Sequence, residues 1–191
     1  MIVTLTDITK NAAETIGRAA AICYDADTSK EANKRRAVSC KDKGHLATMR
    51  FAYASFNVSG ISRVCSHQLV RIAHAGILQR SQRYTESKAE FVTPPDVAKL
   101  AAESDDIQMR ISKLRELSLG LCEVLRANGI KKEDARYYLL QGCTTEVNLC
   151  LNFQAWQDFL KNRTDKAAAW EVREVAKKIQ RILQEKVPEL F

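Results

Sequence analysis

Residues 59–86 pass from a helical pattern to a strand pattern, and this order constrains the fold more than any other stretch of the chain. Apolar residues recur there at three- and four-residue spacings, which predicts an amphipathic helix over about 62–73. Gly76 ends this pattern, and residues 77–84 alternate as the residues of a strand do. We therefore expect a helix and a strand to follow each other directly.

The same segment is basic and carries no acid before Glu86. Its cationic and polar side chains are Arg63, His67, Gln68, Arg71, His74, Arg80, Ser81, Arg83 and Tyr84. Gln68 and Arg71 share a side of the predicted helix, and Ser81 and Arg83 share a face of the predicted strand. Arginine binds phosphate through two parallel hydrogen bonds and stays charged. The pattern predicts a site for a phosphate and the polar edge of a base, with a solvated basic surface as the alternative.

The stretches SRVCSHQLVR and QRSQRY of this segment resemble the signature region of the flavin-dependent thymidylate synthases. The family motif reads Arg-His-Arg, seven residues, then Ser. Arg71 and Ser81 hold its first and last positions, whereas Ile72 and Ala73 stand where the family has His and the second Arg. A second matching region begins at Asn152. Its matching residues are Asn152, Phe159, Leu160, Arg163, Glu171, Val172 and Arg173.

The resemblance implies a single domain over residues 1–191, with an α/β fold of the α+β type. Its sheet would be small, curved and mostly antiparallel, flanked by helices. The implied reaction is the reductive methylation of dUMP to dTMP, in which methylenetetrahydrofolate supplies the carbon, FAD carries the hydride and NADPH reduces the flavin. The family also implies a homotetramer whose active sites are shared between subunits.

The resemblance assigns site residues position by position. Those implied for the nucleotide dUMP are Gln68, Arg71, Ser81, Arg83, Arg136 and Arg163. Arg163 would be catalytic, because a guanidinium against the uracil ring stabilises negative charge there. Those implied for the cofactor are His45, Arg71 and Asn152.

Other positions depart from the family pattern. The altered positions associated with the flavin are Ala47, Ile72, Ala73, Gln154, Asp158 and Ala167. Gln154 replaces the arginine of an Asn-x-Arg pattern, and Arg50 stands where the family commonly has the Glu of Glu-His. Arg50, His74 and Arg80 have no firm family counterparts, so the sequence leaves open whether they rebuild the flavin site.

Two other functions compete with this interpretation. A divergent pyrimidine-nucleotide enzyme or binder could transfer a one-carbon unit without flavin, for example as a hydroxymethylase, with Cys65, Cys143 or Cys150 as a candidate nucleophile. A nucleic-acid binder would use the net charge of +7. Nucleic acid is the less favoured partner, because aromatic residues are not interleaved with the basic segment and no recognition motif occurs.

The composition of the chain indicates in which cellular compartment we expect it. The six cysteines form no CxxC pair, so we expect no zinc site and no disulfide framework. Free cysteines favour the reducing cytoplasm as the location of the protein. No apolar run reaches the roughly 18 residues that span a membrane. The first eight residues alternate like a strand, so we expect no secretory signal.

Periodicity predicts the remaining elements. Strands are expected at 2–6, 53–58, 90–92 and 143–151, and helices at 11–24, 29–43, 96–128 with a break near Ser104, 131–140, and two after Asn152 joined near 162–165. On the long helix, an apolar stripe predicts core packing or a subunit interface. The stripe consists of Ile107, Ile111, Leu114, Leu117, Leu121 and Leu125.

Overall fold

The computed structural model describes residues 1–85 and 90–191, so Glu86, the end of the basic segment, lies outside the described residues. The described strands are β1 (Ile2–Ile8), β2 (Tyr53–Ser62), β3 (Gly76–Gln79) and β4 (Thr144–Asn152). The described α-helices are α1 (Ala12–Ala21), α2 (Lys30–Asp42), α3 (Arg63–Leu69), α4 (Pro95–Ala102), α5 (Asp105–Ala127), α6 (Lys132–Ala135), α7 (Phe153–Arg163) and α8 (Trp170–Lys186). Short 3₁₀ helices lie at Ile22–Tyr24, Leu46–Phe51 and Arg136–Tyr138.

The strands form an antiparallel sheet in the order β1-β2-β4-β3, and within the described residues this sheet does not close. β1 lies at one edge of this sheet. Helices flank the sheet and account for 56% of the structure. The predicted fold class, a mixed fold with an antiparallel sheet and flanking helices, is confirmed. No helix in the described part of the chain is long and apolar enough to cross a membrane.

The chain divides into two compact units. The first unit comprises Met1–Val58, Leu69–Leu78 and Asn148–Phe191, and the second comprises Ser59–Gln68 and Gln79–Val147. Strands β2 and β4 each continue from one unit into the other. The single domain over 1–191 remains a prediction.

The first unit has an aromatic core. The indole nitrogen of Trp156 on α7 donates a hydrogen bond of 3.0 Å to the carbonyl of Ala54 on β2. Its ring packs edge-on against Phe56 and Phe159, with centroids 5.1 and 5.6 Å away. Alternate residues of β2 and of β4 are buried, as expected for strands with one face toward a core. This packing holds α7 against the sheet, so the start of α7 has a defined position.

Two predicted elements of the basic segment end early. α3 stops at Leu69 rather than near residue 73, and β3 stops at Gln79 rather than at Tyr84. Arg71 therefore does not share a helix side with Gln68, and this prediction is wrong. His74 takes a φ of 59° in the intervening turn, a left-handed conformation that a helix cannot contain.

The predicted strand face of Ser81 and Arg83 is also wrong, because both residues lie in a turn. The Ser81 hydroxyl accepts a hydrogen bond of 3.1 Å from the Arg83 backbone N–H. The Ser81 carbonyl accepts hydrogen bonds from the backbone and the hydroxyl of Thr85. Local bonds of this kind compete with strand pairing, which explains why the alternating pattern gives a turn here.

The long amphipathic stretch divides where the sequence predicts. α4 ends at Ala102, and the Ser104 side chain caps α5 by accepting a hydrogen bond from the Ile107 N–H. The predicted apolar stripe of α5 is only partly covered, since Leu114, Leu117 and Leu121 are 54%, 60% and 42% exposed. This stripe therefore does not belong to the core of its own unit.

Candidate functional site

A cavity of about 550 Å³ lies in the first unit. Three pieces of chain line it: Arg50 of the 3₁₀ helix Leu46–Phe51, the turn after α3, and one face of α7 together with the residue before it. The lining residues are Arg50, Arg71, Ile72, Ala73, His74, Asn152, Gln154, Ala155, Asp158, Phe159, Asn162 and Arg163. This volume lies within the range of roughly 300–1,000 Å³ that is typical of small-molecule sites.

α7 presents its side chains to the cavity because of helical spacing. Gln154 and Asp158 are four residues apart, as are Asp158 and Asn162, so they follow one another along the same helix face. Arg163 is the last residue of α7, where a cation interacts favourably with the negative end of the helix dipole. Arg71, from the turn after α3, and Arg163 are both predicted site residues, and both line this cavity.

Asn152 joins β4 to α7 and lines the same cavity. Its side-chain oxygen accepts a hydrogen bond of 2.9 Å from the Ala155 N–H and thereby caps α7. The side-chain amide group of Asn152 is the part that could reach a ligand. His45, the other residue assigned only to the cofactor, is exposed just before the 3₁₀ helix and is not part of the described lining.

The charge of the cavity is mostly positive. Arg50, Arg71 and Arg163 contribute guanidinium groups, and Asp158 is the one acid among the described lining residues. The Arg50 Nε donates a hydrogen bond of 2.6 Å to the side-chain oxygen of Gln154. Such a cavity suits a ligand with one or more negative charges.

The second unit holds the remaining phosphate candidates. Arg83 forms an ion pair with Glu133, 2.5 Å between Nε and the carboxylate oxygen. The Arg136 Nε donates a hydrogen bond of 3.1 Å to the backbone carbonyl of Glu133, rather than to its carboxylate. Arg83 and Arg136 therefore gather around one residue, while Gln68 lies on α3 and Ser81 in the turn before Arg83.

Arg63 joins this cationic group and was not among the predicted site residues. Burial lowers the pKa of Arg63, the Cys143 thiol opposes this shift, and the charge of Arg136 lowers the pKa further. Its position in SRVC, five residues before Gln68 on the same helix, is the sequence signal that could have identified Arg63.

Two of the three candidate cysteines, Cys65 and Cys143, do not have the features of an activated nucleophile. Cys65 and Cys143 are each 1% exposed, and burial raises the pKa of the Cys143 thiol above its usual range. A reactive cysteine needs a lowered pKa and access to its substrate. Cys150 is exposed on β4, and no cysteine among the described residues forms a disulfide. The structure shows no group of three or more His, Cys, Asp or Glu side chains in residues 1–85 and 90–191 that could hold a metal ion.

The remaining candidates from the sequence separate into two groups. Arg50 and His74 line the cavity, whereas Arg80 does not line its described walls. The Arg80 guanidinium instead lies 3.9 Å from the Glu146 carboxylate in the second unit. Of the altered flavin-associated positions, Ile72, Ala73, Gln154 and Asp158 also line the cavity.

A comparison with protein families decides the relationship of this chain. The family model described as thymidylate synthase complementing protein matches residues 4–189, nearly the whole chain. The chain belongs to this family. The resemblance stated from the basic segment and from the region after Asn152 is thereby confirmed.

Curated relatives match most of this chain and about three quarters of their own length. A protein of Pyrococcus furiosus is 33% identical over 186 residues, which cover 93% of this chain and 76% of that relative. A protein of Thermococcus onnurineus is 32% identical over 190 residues, with the same coverage of 93% and 76%. A protein of Thermococcus kodakarensis is 34% identical over 192 residues. Each of the three is named flavin-dependent thymidylate synthase.

Proposed function

We propose that this protein is a flavin-dependent thymidylate synthase, which methylates dUMP reductively to dTMP. The main support for the proposal is that Arg71 and Arg163 line the same cavity. Arg71 comes from the first region of family resemblance and Arg163 from the second. Relatives that cover 93% of the chain bear the name of this activity. Methylenetetrahydrofolate is the proposed carbon donor, and NADPH is the proposed reductant.

The donor set of the cavity fits a flavin cofactor. FAD carries two phosphates, and guanidinium groups bind phosphate oxygens through strong, charge-assisted hydrogen bonds. Arg50 and Arg71 supply such groups, and the Asn152 amide adds a neutral donor. When bound, FAD supplies the hydride that completes the methyl group.

The residues of the chain itself bind the nucleotide, orient its base and stabilise the charge that develops on it. We assign Arg163 to the uracil ring, where its fixed positive charge stabilises the negative charge that develops during the reaction. The family resemblance is the support for assigning Arg71 and Gln68 to the base and the sugar, and Ser81, Arg83 and Arg136 to the phosphate. Holding the pyrimidine C5 near the carbon donor lowers the entropic part of the barrier.

The direct test combines three measurements on the purified protein. We expect flavin absorbance bands in the visible spectrum after FAD is added, saturable binding of dUMP, and formation of dTMP when methylenetetrahydrofolate and NADPH are supplied. A colourless protein that still binds dUMP tightly would reject flavin dependence and support the flavin-free nucleotide enzyme. A protein that binds neither ligand would reject the proposed function.

Arg83→Ala and Arg136→Ala are expected to weaken dUMP binding by roughly 10- to 100-fold each, because each removes a charged hydrogen-bond donor from the phosphate. Arg83 is half exposed and its pair with Glu133 contributes at most about 1 kcal/mol to folding, so the fold should remain intact. Isothermal titration calorimetry measures the affinity, and circular dichroism checks the fold.

Arg110→Ala is the matched control for these two variants. Arg110 also pairs with an acid, Asp106, but it does so on the exposed surface of α5. Its removal should leave the affinity for dUMP unchanged. Unchanged affinity in both Arg83→Ala and Arg136→Ala would contradict the assignment of the phosphate to these arginines.

We further propose that the chain assembles as a homotetramer with active sites shared between subunits. The exposed apolar face of α5, formed by Leu114, Leu117, Leu121 and Val124, supports this proposal, because a second subunit would remove it from water. The six free cysteines support a reducing compartment, for which we propose the cytoplasm.

A further inference from the structure

Arg50 and Gln154 form a polar pair at the wall of the cavity. They are 104 positions apart in the chain, yet the Arg50 Nε lies 2.6 Å from the Gln154 side-chain oxygen. Both belong to the first unit and both line the cavity. The bond uses one donor of Arg50, and the two terminal nitrogens of its guanidinium form no hydrogen bond within residues 1–85 and 90–191.

Gln154 is suited to holding an arginine without neutralising it. A carboxylate at position 154 would cancel the charge of Arg50, whereas the amide oxygen accepts a hydrogen bond and leaves the positive charge available. The nearest acid on the same face of α7 is Asp158, one turn further along the helix. The pair therefore presents an oriented cation to the cavity.

Other residues that line the cavity leave room for a ligand. Ile72, Ala73 and Ala155 offer short or apolar side chains that cannot bind an anion themselves. The sequence places Ala73 and Gln154 where other members of the family carry arginine. Arg50 is thus an extra cation in a cavity from which two expected cations are missing.

We propose that Arg50, oriented by Gln154, binds the phosphate-bearing part of the flavin cofactor and replaces the cations missing at positions 73 and 154. This inference rests on the proposed function, because it requires a flavin in the cavity. Arg50 acts as a binding residue that contacts the phosphates, and Gln154 acts as a positioning residue.

The test measures affinity for three flavins rather than activity. FAD and FMN carry phosphate and riboflavin does not, so quenching of flavin fluorescence gives a dissociation constant for each. Arg50→Ala is expected to raise the dissociation constant for FAD by about 10- to 100-fold and to leave that for riboflavin unchanged. The dissociation constant for dUMP, measured by calorimetry, should also stay the same.

A rescue variant separates loss of the cation from general damage to the site. In Arg50→Ala/Gln154→Arg, a guanidinium returns from the other member of the pair, so FAD affinity should recover by at least about tenfold relative to Arg50→Ala. Arg18→Ala, at an exposed arginine in the last turn of α1, is the control for net charge and should bind FAD like the wild type.

The outcomes distinguish the inference from the proposed function. A wild-type protein that binds no flavin would overturn both. Wild-type binding of FAD together with equal binding by Arg50→Ala would overturn the role of Arg50 alone. Equal weakening of FAD and riboflavin, or weakening of dUMP in place of FAD, would show that Arg50 does not act on the flavin phosphates.

Discussion

Arg163→Ala is expected to bind dUMP with nearly unchanged affinity while its turnover number falls by about 10²- to 10³-fold. The expected size is that of removing one preorganised group that stabilises developing charge in a site shielded from water. Arg163 lines the cavity from the last residue of α7. Arg71, which lines the same cavity, remains to hold the nucleotide.

The measurement separates binding from chemistry. Calorimetry gives the affinity for dUMP, and single-turnover kinetics gives the rate of the chemical step. Lys161→Ala is a matched control, since Lys161 is a second cation in the last turn of α7 but is exposed and does not line the cavity. A turnover number equal to that of the wild type in Arg163→Ala would reject the catalytic role.

Gly17→Ala is expected to lower the free energy of unfolding by at least about 3 kcal/mol, at the upper end of what overpacking costs. A Cβ atom at position 17 would lie 1.8 Å from the backbone oxygen of Asn33 and 2.4 Å from its carbonyl carbon. Arg36 holds the same contact together, because its Nη1 donates hydrogen bonds to the Gly17 carbonyl at 3.1 Å and the Asn33 side chain at 2.7 Å. α1 and α2 would have to separate to admit the methyl group.

Gly120→Ala is the control, and its effect should have the opposite sign. Gly120 lies inside α5, and apart from its chain neighbours and the local helix backbone no described atom lies within 4 Å of the position its Cβ would take. Alanine there should stabilise the protein by about 0.5–1 kcal/mol through helix propensity. Urea unfolding measures both variants, and equal midpoints for Gly17→Ala and the wild type would contradict the packing argument.

Local periodicity predicted the helices and strands in which buried residues recur at the spacing of that element. The alternation over 143–151 predicts that Thr145, Val147, Leu149 and Leu151 share one face of a strand, and the structure buries all four on β4. The same reasoning failed at Ser81, because a hydroxyl that bonds to the backbone two residues later stabilises a turn that alternation cannot reveal. It failed at Arg71 because apolar spacing continued beyond the point where the helix ends.

The candidate site was predictable only where a motif carried it. Arg71 and Arg163 came from family resemblance, and the fold places both at one cavity. The contact between Arg50 and Gln154 could not be predicted, since it joins residues separated by 104 positions and depends on how the 3₁₀ helix packs near α7. The environment of Cys143 was equally hidden, because burial and its effect on the pKa depend on the folded chain.

The ion pair between Arg83 and Glu133 has a consequence for how an anion can enter the second unit. If Arg83 holds the phosphate, the ligand and the Glu133 carboxylate share one guanidinium, since its terminal nitrogens can bind an anion while Nε keeps its pair. The two anions repel each other, so part of the intrinsic phosphate affinity is offset by that repulsion. Glu133 would then weaken the attraction of Arg83 for any stray anion, and a ligand with further contacts to the protein would be favoured over free phosphate.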